Sequence, residues 1–170
     1  MRLFGVGGQT MDRKKLHRLT AAALLAAFCF CATWLLKIPF LFGYIHLGDC
    51  FCLLAGWLLG PLYGALSAGI GSALADFAAG YPVYVPATLL IKAAMALLAH
   101  YVCKKNGSLP RRIMGAFLAE LIMIAGYFLY ECLLYGIAGA IPAITGNLLQ
   151  AAGGILTATI LAPILKKMRV

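Results

Sequence analysis

LLAGWLLGPLYGALSAGIGSALAD, Leu53 to Asp76, is the stretch whose reading decides the fold. It lies inside an apolar run over 49–80. A membrane-crossing helix needs only ~20 such residues, so the run is too long for one crossing and must be divided. Gly60-Pro61 is where it divides: glycine tolerates the backbone of a helix end, and proline suits the first turn of the next helix. The reading is a short helix over 49–60 followed by one over 61–80. The short one either begins within the preceding loop or forms a tilted half-span.

Working outward, the remaining apolar runs place helices at about 17–36, 84–103, 112–134 and 138–165. The composition agrees with so many. The chain is 64% apolar and 11% charged, with a mean hydropathy of +0.95. A soluble domain is nearer ~45–50% apolar and ~25% charged. One core in 170 residues cannot hide so much apolar surface, so the surplus faces lipid. The expected class is an all-α integral membrane protein, a bundle of six transmembrane helices.

Charge chooses between six helices and five. Arg2, Arg13, Lys14, Lys15 and Arg18 precede the first helix. Lys104, Lys105, Arg111 and Arg112 follow the fourth, and Lys166, Lys167 and Arg169 follow the last. Six crossings bring all three groups to one side; five would separate them. The positive-inside rule makes that side cytoplasmic, with both termini there. Residues 1–16 then form a basic cytoplasmic tail, 17–165 the membrane domain, 37–48 an outer loop and 166–170 a second basic tail. The net charge of +9 is mainly an orientation signal, and no basic patch with interleaved aromatics suggests nucleic acid. The first apolar run is too long for a signal peptide and no small-residue cleavage site follows it. Met11 is an alternative start.

Enzyme signatures are missing. GxxxxGK[ST], HExxH and GxSxG do not occur, and the six cysteines show no CxxC spacing, so they read as small packing residues rather than metal ligands. Gly64, Ala68, Ser72 and Asp76 recur every four residues, as do Ser67, Gly71, Ala75 and Ala79. Small residues at that interval let helix backbones approach closely in lipid. Asp76 shares that face and so points inward. An ionisable group at membrane depth costs ~2.5–3.5 kcal/mol on insertion scales unless paired or wet. Lys92, Glu120 and Glu131 raise the same question, with Tyr127 on the face of Glu120 and Glu131, and Asn147, Gln150, Gly154 and Thr157 along one face of the last helix. Asp76 and Lys92 could form an internal ion pair and the amides could simply join helices. Polar residues on four helices could instead line one wet pocket opening outward.

The stretch KIPFLFGYIHLGDCFCLLAGWLLGPLYGALSAGIGSALADFAAGYPVYVPATLLIKAAMA resembles the substrate-binding S components of energy-coupling factor (ECF) vitamin transporters, in their riboflavin-transporter-like branch. The linked features are the loop ending in Gly-Asp, LLGPxxG, GxGSALAD, YxPATxxIK and a last helix with NxxQ. The resemblance implies capture of a small vitamin from outside the cell at the plasma membrane. It also implies handover to a transmembrane coupling (T) subunit and two ATPases, which use ATP; this chain would hold no cofactor or metal and catalyse nothing. It further implies that the loop between the first two helices folds over the ligand as a lid, with Tyr44, His46 and Asp49 near it and Gly43 and Gly48 giving it freedom. Asp49 could equally cap the second helix, and His46 could be a solvated loop residue. The AxxxA-type motif of the family falls on Ala22, Ala23, Ala26 and Ala27, which would dock the coupling subunit; ordinary packing is the alternative.

Asp76, Tyr84, Lys92, Tyr127, Glu131, Asn147 and Gln150 are the expected substrate-binding residues, with Tyr81 and Tyr130 as further stacking groups. Rings, carboxylates and amides suit a small flat heteroaromatic with hydroxyls better than an acyl chain. Pyridoxine or hydroxymethylpyrimidine comes first and riboflavin second. A different class remains: a self-contained ion-coupled carrier or channel using Asp76, Lys92 and Glu120 as a relay.

Overall fold

The computed structural model describes residues 13–40, 43–103 and 107–167. Arg2, Lys104, Lys105 and Arg169, the rest of the first twelve residues and loop positions 41 and 42 lie outside them. Helix α1 runs Arg13–Trp34, α2 Gly48–Leu59, α3 Pro61–Ala78, α4 Val85–Cys103 and α5 Leu109–Lys167. A hairpin of β1 (Ile38–Phe40) and β2 (Gly43–Ile45) joins α1 to α2, pairing Pro39 with Tyr44. A single 3-10 turn, Pro82–Tyr84, leads into α4.

The expected division of the long apolar run is present. Gly60 has φ 85 and ψ −174, a backbone that a side chain strongly disfavours, and Pro61 opens α3. The short α2 is the half-length helix anticipated. Helix α5 differs from the two separate helices expected: it has no loop, only a break at Gly136, whose φ is 73 and ψ 169. Straight, its 59 residues would run about 90 Å, about three hydrocarbon thicknesses. Instead its two arms lie side by side, since a Cβ on Gly154 in the second would fall 2.8 Å from Glu120 Oε1 in the first. One positive-φ glycine does the work of a loop. Among the described residues, three helices are long and apolar enough to cross a membrane by length and composition: Arg13–Trp34, Pro82–Cys103 and Leu109–Leu165.

Helix α3 sits at the centre, packed against α1, α2 and α4, while α5 covers α2 and α4. The small residues of α3 make that position possible. A Cβ on Gly71 would meet the Ala26 carbonyl oxygen at 2.4 Å, and Ser67 Oγ donates to the Ala22 carbonyl at 2.8 Å. Ala22 and Ala26 therefore pack inward against α3, whereas Ala23 and Ala27 are exposed. Of the four alanines expected to dock a partner, one pair is internal packing and the other is on the surface.

Candidate functional site

At the end of the bundle where α1 and α3 finish, the hairpin, α3, the connection from α3 to α4 and both arms of α5 enclose a cavity of about 70 Å³. Tyr44 and His46 come from the hairpin and the residue after it, Asp76 from α3, and Tyr81 and Tyr84 from the connection into α4. Tyr127 and Glu131 come from the first arm of α5, and Asn147 and Gln150 from the second. Four of the tyrosines are in mutual contact: ring centroids are 5.3 Å apart for Tyr44–Tyr81, 6.3 Å for Tyr81–Tyr84 and 6.4 Å for Tyr84–Tyr127.

Six of the seven residues expected to bind substrate are thus in one wall. Lys92 is the exception. It is fully buried beneath the cavity and forms an ion pair with Asp49, with its Nζ 5.4 Å from the centre of the Tyr127 ring. The anticipated Asp76–Lys92 pair is not formed: Asp76 accepts hydrogen bonds from Tyr44 and from Thr88 instead. A relay through Asp76, Lys92 and Glu120 is not assembled either, because Glu120 bonds to neither of them and both of its oxygens lack a partner among the described residues. Thr88, which lies in the YxPATxxIK stretch but is not among the expected site residues, connects Asp76 to Tyr127 at 2.9 Å. Its only hydrogen goes to Asp76, so the Tyr127 hydroxyl donates to Thr88.

Asp49 does not cap α2. The N-cap is Leu47, and Asp49 lies in the first turn with no exposure, turned to Lys92 on one oxygen and to Gln150 Nε2, at 2.8 Å, on the other. Gln150 Oε1 in turn accepts the His46 backbone N–H at 3.2 Å. One amide therefore ties the loop to the buried ion pair. The loop is held at a second point by Tyr44 on Asp76. Gly48 contributes tight packing rather than freedom, since a Cβ there would meet Thr33 Oγ1 at 2.0 Å.

His46 is 7% exposed, not solvated. Its Nδ1 accepts the Gly48 N–H at 3.0 Å, so the neutral ring carries its hydrogen on Nε2. Burial pushes its pKa down to about 4, reinforced by Lys92 and opposed by Asp49. Burial, then the neighbouring Asp76 carboxylate, pushes the Tyr44 hydroxyl well above its ordinary range, so it stays a donor.

Some polar atoms in the wall have nothing to bind. Glu131 accepts Tyr84 at 3.3 Å on one oxygen, while its Oε2 is buried with no partner among the described residues. The half-buried Asn147 makes no hydrogen bond there either. Tyr130 is not in the wall; it donates to the Val83 carbonyl and anchors the turn before α4. Such a wall can hold a flat, polar ring by stacking and by hydrogen bonds.

The family described as ECF-type riboflavin transporter, S component, matches residues 13–167. The chain belongs to the ECF transporter S-component family. It is thus a membrane transport protein of a vitamin-uptake family and not an enzyme. This S component is 28% identical over 160 residues to the thiamine precursor transporter HmpT of Lactococcus lactis subsp. cremoris, covering 92% of each chain. It is 36% identical over 132 residues, 78% of this chain and 88% of the other, to an uncharacterized protein in the gap 3′ region of Pyrococcus woesei. Its fold is similar to that of the S component of a bacterial ECF transporter, with a TM-score of 0.74 at 25% identity, covering 91% of this chain and 98% of that one. The S component for biotin from an ECF-type transporter shares the fold at a TM-score of 0.67 and 22% identity, covering 93% of each.

Proposed function

We propose that this S component captures a small heteroaromatic vitamin or vitamin precursor from outside the cell, with hydroxymethylpyrimidine or pyridoxine ahead of riboflavin. The observation that carries the reading is the wall of contacting tyrosines with Glu131 Oε2 and the Asn147 amide left unpaired among the described residues. A substituted pyrimidine or pyridine offers ring nitrogen, hydroxyl and, in the pyrimidine, amino groups for these to meet. The cavity is small, about 70 Å³. A ligand must therefore displace Tyr44 and its hairpin outward, and the smallest ring displaces least; this ranks riboflavin second, and the likeness to HmpT points the same way.

The two arms of α5, counted separately, make six crossings. The basic ends then lie in the cytoplasm and the cavity faces outward. Transport needs a motor outside this chain, supplied by a coupling subunit and two ATPases. Exposed Ala23 and Ala27 on α1 form the docking stripe, since small residues give a neighbouring helix close contact.

The test is to purify the protein from cells and identify co-purifying small molecules by mass spectrometry, then rank the three candidates by calorimetry. A bound pyrimidine or pyridine supports the reading. No bound vitamin, together with ion flux in liposomes holding this chain alone, would replace capture by a self-contained carrier. Accessibility labelling of Lys37→Cys from outside and Ser108→Cys from inside checks the orientation; the reverse pattern would invert it.

A further inference from the structure

A second and larger cavity, about 650 Å³, lies where α1 and α3 begin and α2 and α4 end, away from the tyrosine-lined one. One side is the first turns of α1, which contribute Arg13, His17 and Arg18; the other is the α2–α3 turn with Trp57, and His100 of α4 completes it. Its described lining carries three cationic side chains, Arg13, Lys14 and Arg18, two histidines, His17 and His100, and no carboxylate, so its charged side chains are all of one sign.

Two further features ask for a hydrogen-bond acceptor. Trp57 is only 9% exposed, and its indole N–H has no acceptor among the described residues. A buried donor without a partner costs ~1–3 kcal/mol, which an acceptor bound in the cleft would recover. The start of α3 also borders the cleft at Gly60 and Pro61, and no side chain caps it. The open amides at a helix start carry partial positive charge and suit phosphate oxygens.

The rest of the wall is apolar, with Ala21, Leu58 and Leu59, and the neighbouring Leu16, Leu19 and Leu62 are exposed. A soluble anion would gain nothing from that surface, and 650 Å³ is far more than one phosphate fills. We propose that this cleft is a site for the phosphate headgroup of an anionic phospholipid. Arg13 and Arg18 hold the phosphate, Trp57 donates to an oxygen of the headgroup region, and the glycerol and first methylenes lie on Ala21, Leu58 and Leu59. Specific lipid then braces α1 against the α2–α3 turn.

The experiment is thermal unfolding of the full chain in a neutral detergent, titrated with short-chain phosphatidylglycerol, with phosphatidylcholine of the same chains and with inorganic phosphate. Phosphatidylglycerol should raise Tm and phosphatidylcholine should not. Arg18→Gln, at an exposed position that does not threaten folding, should weaken the apparent phosphatidylglycerol affinity about fivefold, the equivalent of ~1 kcal/mol for one basic group at a lipid surface. Trp57→Phe should weaken it too, while Lys37→Gln, outside the cleft, should leave it unchanged. Equal protection by phosphatidylcholine, or an Arg18→Gln titration matching the unaltered protein, would overturn the site. An equal rise with inorganic phosphate alone would overturn the lipid as occupant. So would a rise seen only when the coupling subunit is added, which would assign the cleft to an acidic segment of that partner.

Discussion

The cavity wall and the buried cluster beneath it use the same kinds of side chain to opposite ends. Asp49, Lys92 and Gln150 are wholly engaged with one another and with the His46 backbone. Asn147 and Glu131, an amide and a carboxylate as well, keep polar atoms that bond to nothing described. The difference separates structure from recognition more sharply than residue type does. A polar group that already has its partners stabilises the fold, and one without them has capacity for a ligand. Gln150 spans the two regions, since it lines the cavity while both ends of its amide serve the protein.

The largest effect should follow from breaking the cluster. Lys92→Met leaves Asp49 buried with no cation, and removal of one partner from a buried ion pair typically costs ~3–5 kcal/mol. The expected outcome is a large drop in Tm measured in detergent. Asp49→Asn combined with Lys92→Met should cost less than the two single changes added, because the charges depart together. Strict additivity would mean that the pair does not act as a unit. A Lys92→Met variant with normal Tm but no ligand binding would erase the distinction between cluster and wall.

Within the wall the pattern should invert. Asn147→Ala and Glu131→Gln should leave Tm close to that of the unaltered protein and weaken ligand binding. Loss of one hydrogen bond to a buried ligand is worth about 1–3 kcal/mol, or roughly 5–150-fold in Kd by calorimetry. Gln150→Ala should do both, lowering Tm and affinity, as befits a residue shared by the two regions. Unchanged affinity in both Asn147→Ala and Glu131→Gln would move the site away from this wall.

The same contrast explains what could be read before the fold was known. Membrane class and the break at Gly60-Pro61 follow from apolar run length and from backbone chemistry that is local to a few residues. Four of the six expected residues found in the wall, Asp76, Glu131, Asn147 and Gln150, were legible because a charged or amide group in an apolar helix must face inward. Pairing was not legible. Asp49 to Lys92 and Asp76 to Thr88 are choices made by distance across the bundle, and helical spacing says only which face a residue occupies. Thr88 lies inside the YxPATxxIK stretch but does not stand out as a site residue, since an uncharged hydroxyl can bond to its own helix and needs no explanation at membrane depth. The expected helix ends at 134 and 138 bracket the break at Gly136, but that one glycine would stand in place of a loop was hidden because glycine is common in membrane helices. The AxxxA spacing was visible, but four-residue spacing cannot say that Ala22 and Ala26 meet α3 while Ala23 and Ala27 stay outside.

The loop above the wall offers a smaller effect, governed by pH. His46 titrates near 6.5 when solvated and is lowered to about 4 in the closed loop, by burial first. The folded pKa is depressed, so closure is fully favoured above about 6.5 and is lost progressively as pH falls toward 4. Protonation would also place a hydrogen on Nδ1 facing the Gly48 N–H. Ligand affinity should therefore fall by at most about tenfold between pH 7.5 and 5.5. His46→Gln, which cannot titrate, should flatten that dependence. A profile of the same slope in the variant would assign the effect to the ligand or to another group.

The smallest effect on either region should come from α1. Ala23→Trp or Ala27→Trp places a ring on the exposed side of the helix, away from α3, and should change neither Tm nor ligand affinity beyond error. A bulky group there would nevertheless hold a docking helix away and remove the close contacts that drive helix association in lipid. Uptake by the reconstituted complex should then collapse while capture persists. Ala22→Trp and Ala26→Trp supply the contrast. Ala22 and Ala26 abut Ser67 and Gly71, where even a Cβ on Gly71 would be 2.4 Å from a carbonyl oxygen, so a ring should lower Tm before any partner is added. If the two outward variants transport normally, the docking surface lies on another face. If they lose ligand binding as well, the outer side of α1 is coupled to the cavity, and capture cannot be separated from coupling along this helix.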